Sequence, residues 1–312
     1  MEDTTAIRGA ENSLSVGDIM GFSIQNVVIL YWLKHHGMIK AGDAVLELGS
    51  QQLNNDIIEN LESLDGLAKL FGVASFKRTF DWKVHEQKYL ESGMQHLPED
   101  APFARQLYEH LGLRYVCVDI DDHPDSLKLD LNYDPVPEEH KGKYALVTNL
   151  GTTEHVANQL NAFKVIHDLT AKNGVMVHSL PFQGFATHGL VNYTMKFFWL
   201  LNRSNRYRII DADISSWEKT YLPEEIVHYA KNNSLIFANK QHVDKVGFQD
   251  TGMTMILQKC HNEPFAPFLD VPAGAQTTDP VLKKRYSTAF KKDPWGDFLL
   301  QGRVFLKKLL NR

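Results

Sequence analysis

The 312-residue chain is 43% hydrophobic and 23% charged, with a net charge of −5. These are ordinary proportions for one large soluble domain, and the acidic balance disfavours duplex nucleic acid as a partner. Two cysteines, Cys117 and Cys260, suggest neither a disulfide framework nor a Cys-rich zinc site, which fits a reducing compartment. The start Met1-Glu2-Asp3 lacks the basic n-region of a signal peptide, and the early apolar run Val27 to Leu33 is far shorter than the roughly 20 residues that span a bilayer. A cytoplasmic protein without a transmembrane segment is expected.

Residues 14–37 read as a helix, with Ile19, Phe22, Val27, Leu30 and Leu33 at three- and four-residue steps and Gly37 as the stop. Asp43 to Gly49 is a continuous apolar run, as in a strand buried on both faces of a parallel sheet. The stretch 51–113 is much longer than a simple crossover needs, and its helix-like pieces fall at 55–70 and 101–112. Its middle, 71–100, reads as an insertion over the sheet edge or a pocket. Strands follow at 114–121, 127–132, 144–149 and 174–181. A helix is expected to open at Thr153-Glu154-His155 and run to Leu169, and an aromatic helix to occupy 191–201. Further strands are predicted at 207–210, 234–243 and 253–259, with a helix at 222–232. A Pro-rich loop at 264–280 leads to a basic tail with an amphipathic piece at 295–310.

Strands alternating with helices imply an α/β fold: a mostly parallel, doubly wound sheet of about seven strands with helices on both faces and a helical cap insertion. The reading is a single domain over 1–312, in which 1–40 form an N-terminal helical cap, 51–113 the insertion, and 264–312 the loop and tail. In such sheets a ligand binds beyond the carboxyl ends of the strands. Gly49, Asp119, Asp130 and Asn149 stand at four successive strand ends. Taken singly, each is an ordinary turn residue; taken together, they outline a pocket. Gly49 admits close backbone approach, Asp119 suits the hydroxyls of a ribose, and Asp130 suits an exocyclic amine. The run Ser50-Gln51-Gln52-Leu53-Asn54-Asn55 lacks the further glycines of a phosphate-binding loop, which argues against pyrophosphate and favours a nucleoside with an amino-acid tail.

The order Glu47-Leu48-Gly49, a strand-terminal Asp119, Leu129-Asp130-Leu131-Asn132, then Val147-Thr148-Asn149-Leu150-Gly151-Thr152-Thr153-Glu154-His155 resembles class I (Rossmann-like) S-adenosylmethionine-dependent methyltransferases over roughly residues 40–260. The second and third glycines of that family's loop correspond to Gln51 and Leu53 here. The resemblance implies S-adenosylmethionine as cofactor. Glu47, Gly49 and Ser50 would line its methionine end, Asp119 would hold the ribose hydroxyls, Asp130 would face the adenine amine, Asn149 and Leu150 would border the methyl group, and Gln51, Ile120 and Leu131 would be further cofactor contacts. The sequence after Asn149 is not the Pro-Pro-aromatic motif of enzymes that methylate nucleic-acid amines.

Methyl transfer to a hydroxyl is helped by a general base. The candidates are His155, His188, Glu154 and His178. Each has a plainer role open to it: Glu154 as a first-turn acid on a helix dipole, His178 as a hydrogen-bonded core residue. Three histidines and a glutamate are also metal ligands by type, but their spacing matches no compact metal motif, so no metal is expected. Asp18, Met20, Phe22 and the segment 71–82 are candidates to close the pocket, with helix packing as the plainer reading. Lys283, Lys284, Arg285, Lys291, Lys292, Lys307 and Lys308 form a solvated face or a weak membrane-surface contact. The acceptor is expected to be a small metabolite or saccharide, methylated on oxygen or nitrogen. The other readings are an NAD-dependent oxidoreductase and a non-catalytic cofactor-binding scaffold.

Overall fold

Seven strands build one sheet in the order β3-β2-β1-β4-β5-β7-β6. The computed structural model describes residues 21–54, 56–57, 61–76, 102–120, 126–183, 185, 188–216, 251–272 and 275–291. The strands are β1 (Ala44–Leu48), β2 (Arg114–Val118), β3 (Ser126–Leu127), β4 (Tyr144–Leu150), β5 (Thr170–Gln183), β6 (Arg208–Ser216) and β7 (Thr251–Gln258). Strands β3, β2, β1, β4 and β5 run parallel, and β7 lies antiparallel to both β5 and β6. This is the mostly parallel α/β sheet read from the sequence. The strand order turns back between β1 and β4, which makes their carboxyl ends the ligand-binding crevice of a doubly wound sheet.

Side-chain alternation gives each face of the sheet its own core. Val45 of β1, Tyr115 and Cys117 of β2, and Val175 and Val177 of β5 join one cluster, which is covered by α1 (Ile24–His35), α2 (Leu61–Phe71) and α3 (Ala104–His110). Leu46 and Leu48, Val118, and Met176 and Leu180 join the other, under α4 (Gln159–Leu169) and α5 (Met195–Asn205). A short α6 (Pro280–Arg285) follows the Pro-rich segment.

Several boundaries differ from expectation. The first helix begins at Ile24, whose backbone N–H donates to Asp56 Oδ2 at 3.0 Å. Phe22, Val27, Leu30 and Leu33 are buried in the first core, so this part of the expected cap is a layer of the sandwich. The third strand is only Ser126–Leu127. Thr153–His155 is a single 3₁₀ turn, and the helix starts at Gln159, capped by the Asn158 side chain accepting from the Asn161 N–H. Asn158 is the stronger N-cap because its amide oxygen is free for the helix, whereas the Thr153 hydroxyl is already bonded to Asn149 and Tyr193. Positions 1–20, 77–100, 222–232, 234–243 and 295–310, which carry the remaining cap, insertion, strand and tail expectations, lie outside the described residues.

Candidate active site at the carboxyl edge of the sheet

Beyond β1 the chain turns sharply at Gly49, whose φ is +74°. A Cβ there would sit 2.8 Å from both Gln51 Nε2 and Thr152 Oγ1, so only glycine leaves this cradle open. The Gly49 N–H donates to the Val118 carbonyl at 2.8 Å, and the Ser50 N–H donates to Asp119 Oδ2 at 2.8 Å. On the other side, the Thr152 hydroxyl donates to the Leu48 carbonyl at 2.6 Å and lies 3.5 Å from Gln51 Nε2. The turn is thereby tied to the ends of β2 and β4 together. Thr152 was not singled out from sequence; its place directly after the β4 glycine is the signal that marks it.

The loop continues as a paired ribbon. Gln52 bridges to Phe103 and Leu53 to Phe22. Backbone bonds run from Phe22 N to the Gln52 carbonyl, Asn54 N to the Phe22 carbonyl, Leu53 N to the Pro102 carbonyl and Ala104 N to the Gln51 carbonyl.

Glu47 does not line the crevice. It is fully buried behind the turn, where Oε2 accepts from the Tyr115 hydroxyl at 2.7 Å and from the Gln51 N–H at 3.1 Å. Burial pushes its carboxyl up to about 8, although those two donors pull the other way. Its part is to hold the loop from beneath, a role that needs Tyr115, which sequence reading had placed only as a strand residue.

Asp119 stands one residue past β2, partly buried, and Ile120 beside it is 79% exposed. An apolar side chain left in water next to a strand-end acid is a surface that a flat base can cover. Asp130 lies three residues beyond the short β3, exposed, with Oδ1 accepting from the Asn132 N–H at 2.8 Å and its own N–H donating to Asp134 at 2.9 Å. It is a turn-forming acid rather than a strand end. Leu131 and Leu150 are core residues. Asn149 is 1% exposed and fully engaged: Oδ1 accepts from the Thr153 N–H, and Nδ2 donates to Thr153 Oγ1 at 2.8 Å and faces His178 Nδ1 at 3.2 Å.

The 3₁₀ turn after β4 carries the other half of the site. Glu154 is completely buried, and neither carboxylate oxygen has a hydrogen-bond partner among the described residues. Burial pushes its carboxyl up to about 8, with its own backbone amide acting weakly the other way. His155, next along, is exposed, and its imidazole is held below the usual range by partial burial and by the neighbouring His188. The loop after β5 brings His188 back over this turn, with Nε2 3.9 Å from Glu154 Oε1 and its ring centroid 4.8 Å from that of His155. Gly189, at φ +72°, makes that approach possible, since a Cβ there would sit 2.9 Å from Glu154 Cγ. The Leu190 N–H donates to the Glu154 carbonyl at 2.7 Å, and the Tyr193 hydroxyl bonds Thr153 Oγ1 at 2.9 Å and Gln159 Oε1 at 2.6 Å. Three of the four candidate bases therefore meet. The fourth, His178, does not join them: it is 1% exposed between Phe163 and Phe198, with its pKa lowered to about 3 by burial. It is a neutral core histidine.

A doubly wound sheet with a glycine turn after β1 and an acid after β2 has the layout of a nucleoside-binding fold, with its crevice at the carboxyl edge of the strands. Comparison with known protein families matches residues 75–242, more than half of the chain, to the methyltransferase domain family. The chain belongs to that family, is a methyltransferase, and uses S-adenosylmethionine. The cradle at Gly49 and the acid at Asp119 fit such a cofactor.

No curated protein matches the chain. Among solved structures it is similar to a 1,6-didemethyltoxoflavin N1-methyltransferase of Burkholderia thailandensis with bound 1,6-didemethyltoxoflavin and S-adenosylhomocysteine, at 13% identity and TM-score 0.36, covering 76% of this chain and 78% of that one. It is also similar to a sarcosine dimethylglycine methyltransferase, so described provisionally, of Galdieria sulphuraria, at 12% identity and TM-score 0.38, covering 76% and 86%. A third is a SAM-dependent methyltransferase of Archaeoglobus fulgidus, at 12% identity and TM-score 0.36, covering 74% and 93%. The family assignment rests on residues 75–242 and not on these structures. Among the described residues, no helix is long and apolar enough to cross a membrane.

Proposed function

We propose that the protein transfers the methyl group of S-adenosylmethionine to a hydroxyl oxygen of a small metabolite or saccharide. The observation that carries this reading is the meeting of Glu154, His155 and His188 at the edge of the crevice, two residues on from the Thr152 that closes the Gly49 cradle. When bound, the cofactor supplies an electrophilic methyl on a sulfonium. Gly49, Ser50 and Gln51 hold its amino-acid end, Asp119 its ribose hydroxyls, and Ile120 offers apolar cover for the base. Asp130 lies on the same side but is committed to its own turn. Asn149 and Leu150 act from within, fixing the turn that carries Glu154 and His155. A hydroxyl placed against this turn finds an exposed imidazole, His155, in position to take its proton as the new bond forms.

The reading is tested by calorimetry with S-adenosylhomocysteine and by transfer of labelled methyl across a panel of hydroxyl and amine acceptors. Asp119→Ala is expected to weaken S-adenosylhomocysteine binding at least about tenfold, equivalent to roughly 1.4 kcal/mol. His155→Ala is expected to cut transfer by roughly 10²–10⁴-fold while leaving that affinity intact. Undiminished binding by Asp119→Ala, or transfer confined to amines, counts against the proposal.

A further inference from the structure

We infer that Glu154, His155 and His188 form the protein half of a divalent-metal site that faces the acceptor. The inference rests on the reading that a hydroxyl acceptor binds here, and it sharpens how that hydroxyl is activated. One ligand atom from each of the three residues lies within 4.8 Å of the others.

Glu154 is wholly buried, and among the described residues neither of its oxygens has a hydrogen-bond partner. An unmade buried carboxyl costs several kcal/mol, and such a group is normally paired or bound to metal. His188 Nε2 is buried too and equally without a partner. At 3.9 Å from Glu154 Oε1 it is too far to donate a hydrogen bond. The two imidazole rings cross edge to face with centroids 4.8 Å apart. A cation among the three satisfies every one of these atoms: each neutral imidazole gives a lone pair, and the carboxylate gives its charge.

The surrounding backbone is shaped to bring the ligands together. The Leu190 amide clamps the Glu154 carbonyl, and Gly189 gives up a side chain so that the loop can lie on Glu154. Phe185, which opens the loop, takes a left-handed φ of 52° that a residue with Cβ rarely adopts, a strain of the order of 1–3 kcal/mol characteristic of functional sites. His155 is exposed, so solvent or an acceptor can reach this cluster from its side.

Two imidazoles and one carboxylate suit zinc, iron, cobalt or manganese rather than calcium or magnesium, and three protein ligands with an open position are the pattern of catalytic sites. The sequence hid this because the ligands come from two loops 33 positions apart, at 155 and 188, with no compact motif. On such a cation the acceptor's O–H loses its proton to water at lower cost. The oxygen lone pair then forms the O–CH₃ bond, and the electron pair of the breaking C–S bond leaves with sulfur. The imidazoles act as ligands, and the cation takes over the work assigned above to a base.

The test is titration of the full chain, first stripped with chelator, with Co²⁺ followed by its visible d–d absorption, and separately with Zn²⁺ by calorimetry. We expect one saturable site. Glu154→Gln and His188→Gln should each weaken it more than tenfold while S-adenosylhomocysteine affinity stays within about twofold. Stripped enzyme should lose methyl transfer and regain it with Zn²⁺ or Mn²⁺. Wild-type protein that binds S-adenosylhomocysteine but takes up no Co²⁺, or variants that bind Co²⁺ as well as wild type does, overturns the inference. Full transfer by stripped, cobalt-silent enzyme does the same and leaves the hydroxyl-transfer reading standing on His155 as base.

Discussion

Glu47 and Glu154 stand at the carboxyl edge of neighbouring strands, both wholly buried and both pushed up to about 8 by loss of water. They differ in company. Glu47 Oε2 takes two donors, from Tyr115 and Gln51, and only Oε1 is without one. Glu154 has none for either oxygen among the described residues. The first acid is explained by the fold it braces; the second has no such explanation among the described residues. A buried acid with its donors in place is a structural member, and one without them marks where a ligand belongs.

The same substitution at both positions separates the two roles. Glu154→Met removes the ligand and the acid while keeping an unbranched side chain, so methyl transfer should fall by at least about 10²-fold, or roughly 2.7 kcal/mol, in a labelled-methyl assay. Glu47→Met strands the Tyr115 hydroxyl and the Gln51 amide, and chemical denaturation should show a loss of about 2–3 kcal/mol. In the same experiment on metal-stripped protein, Glu154→Met should gain about 1–2 kcal/mol, since a buried polar group without a hydrogen-bond partner among the described residues is replaced by an apolar one. Equal destabilisation of the two variants would erase the contrast. The smallest effect, taken per pH unit, is in pH dependence. A carboxyl raised from 4.5 to about 8 on folding holds its proton in the fold, so its contribution is complete below pH 4.5 and is lost as pH rises towards 8. Between pH 5 and 8 wild-type stability should therefore fall relative to Glu47→Gln by roughly 1 kcal/mol per pH unit; parallel curves would mean that Glu47 is ionised in the fold.

The frame of the molecule was open to reading because strands buried on both faces announce themselves as apolar runs. β1 and β2 fall within the predicted stretches, β4 runs one residue past its own, and β5 extends beyond its own at both ends. Gly49 and Asp119 could be placed for the same reason, since each follows directly on such a run. Asp130 was misplaced because Leu127 to Asn132 looks like a strand, yet its side chain folds the backbone into a turn through Asn132. Local side-chain bonds of Asp and Asn compete with strand pairing, and periodicity does not register them. Glu154, a candidate base, had a first-turn helix acid as its plainer reading because the helix was expected to open at Thr153. Three tertiary bonds, from Asn149, Tyr193 and Gln159, claim Thr153 instead and turn Glu154 inward. His178 and His188 are similar in sequence terms, but only packing reveals that one lies between phenylalanines and the other over a carboxyl.

The ribbon at 51–54 has a further consequence for how this chain can vary. A connection after a strand is ordinarily the place where insertions are tolerated and proteases cut. Here backbone bonds from Phe22, Pro102 and Ala104 hold the segment on both sides, so one added residue would shift the register of every pairing at once. Length variation and nicking are thereby directed away from the cofactor turn, and this edge of the crevice keeps its shape while the rest of the surface is free to diverge.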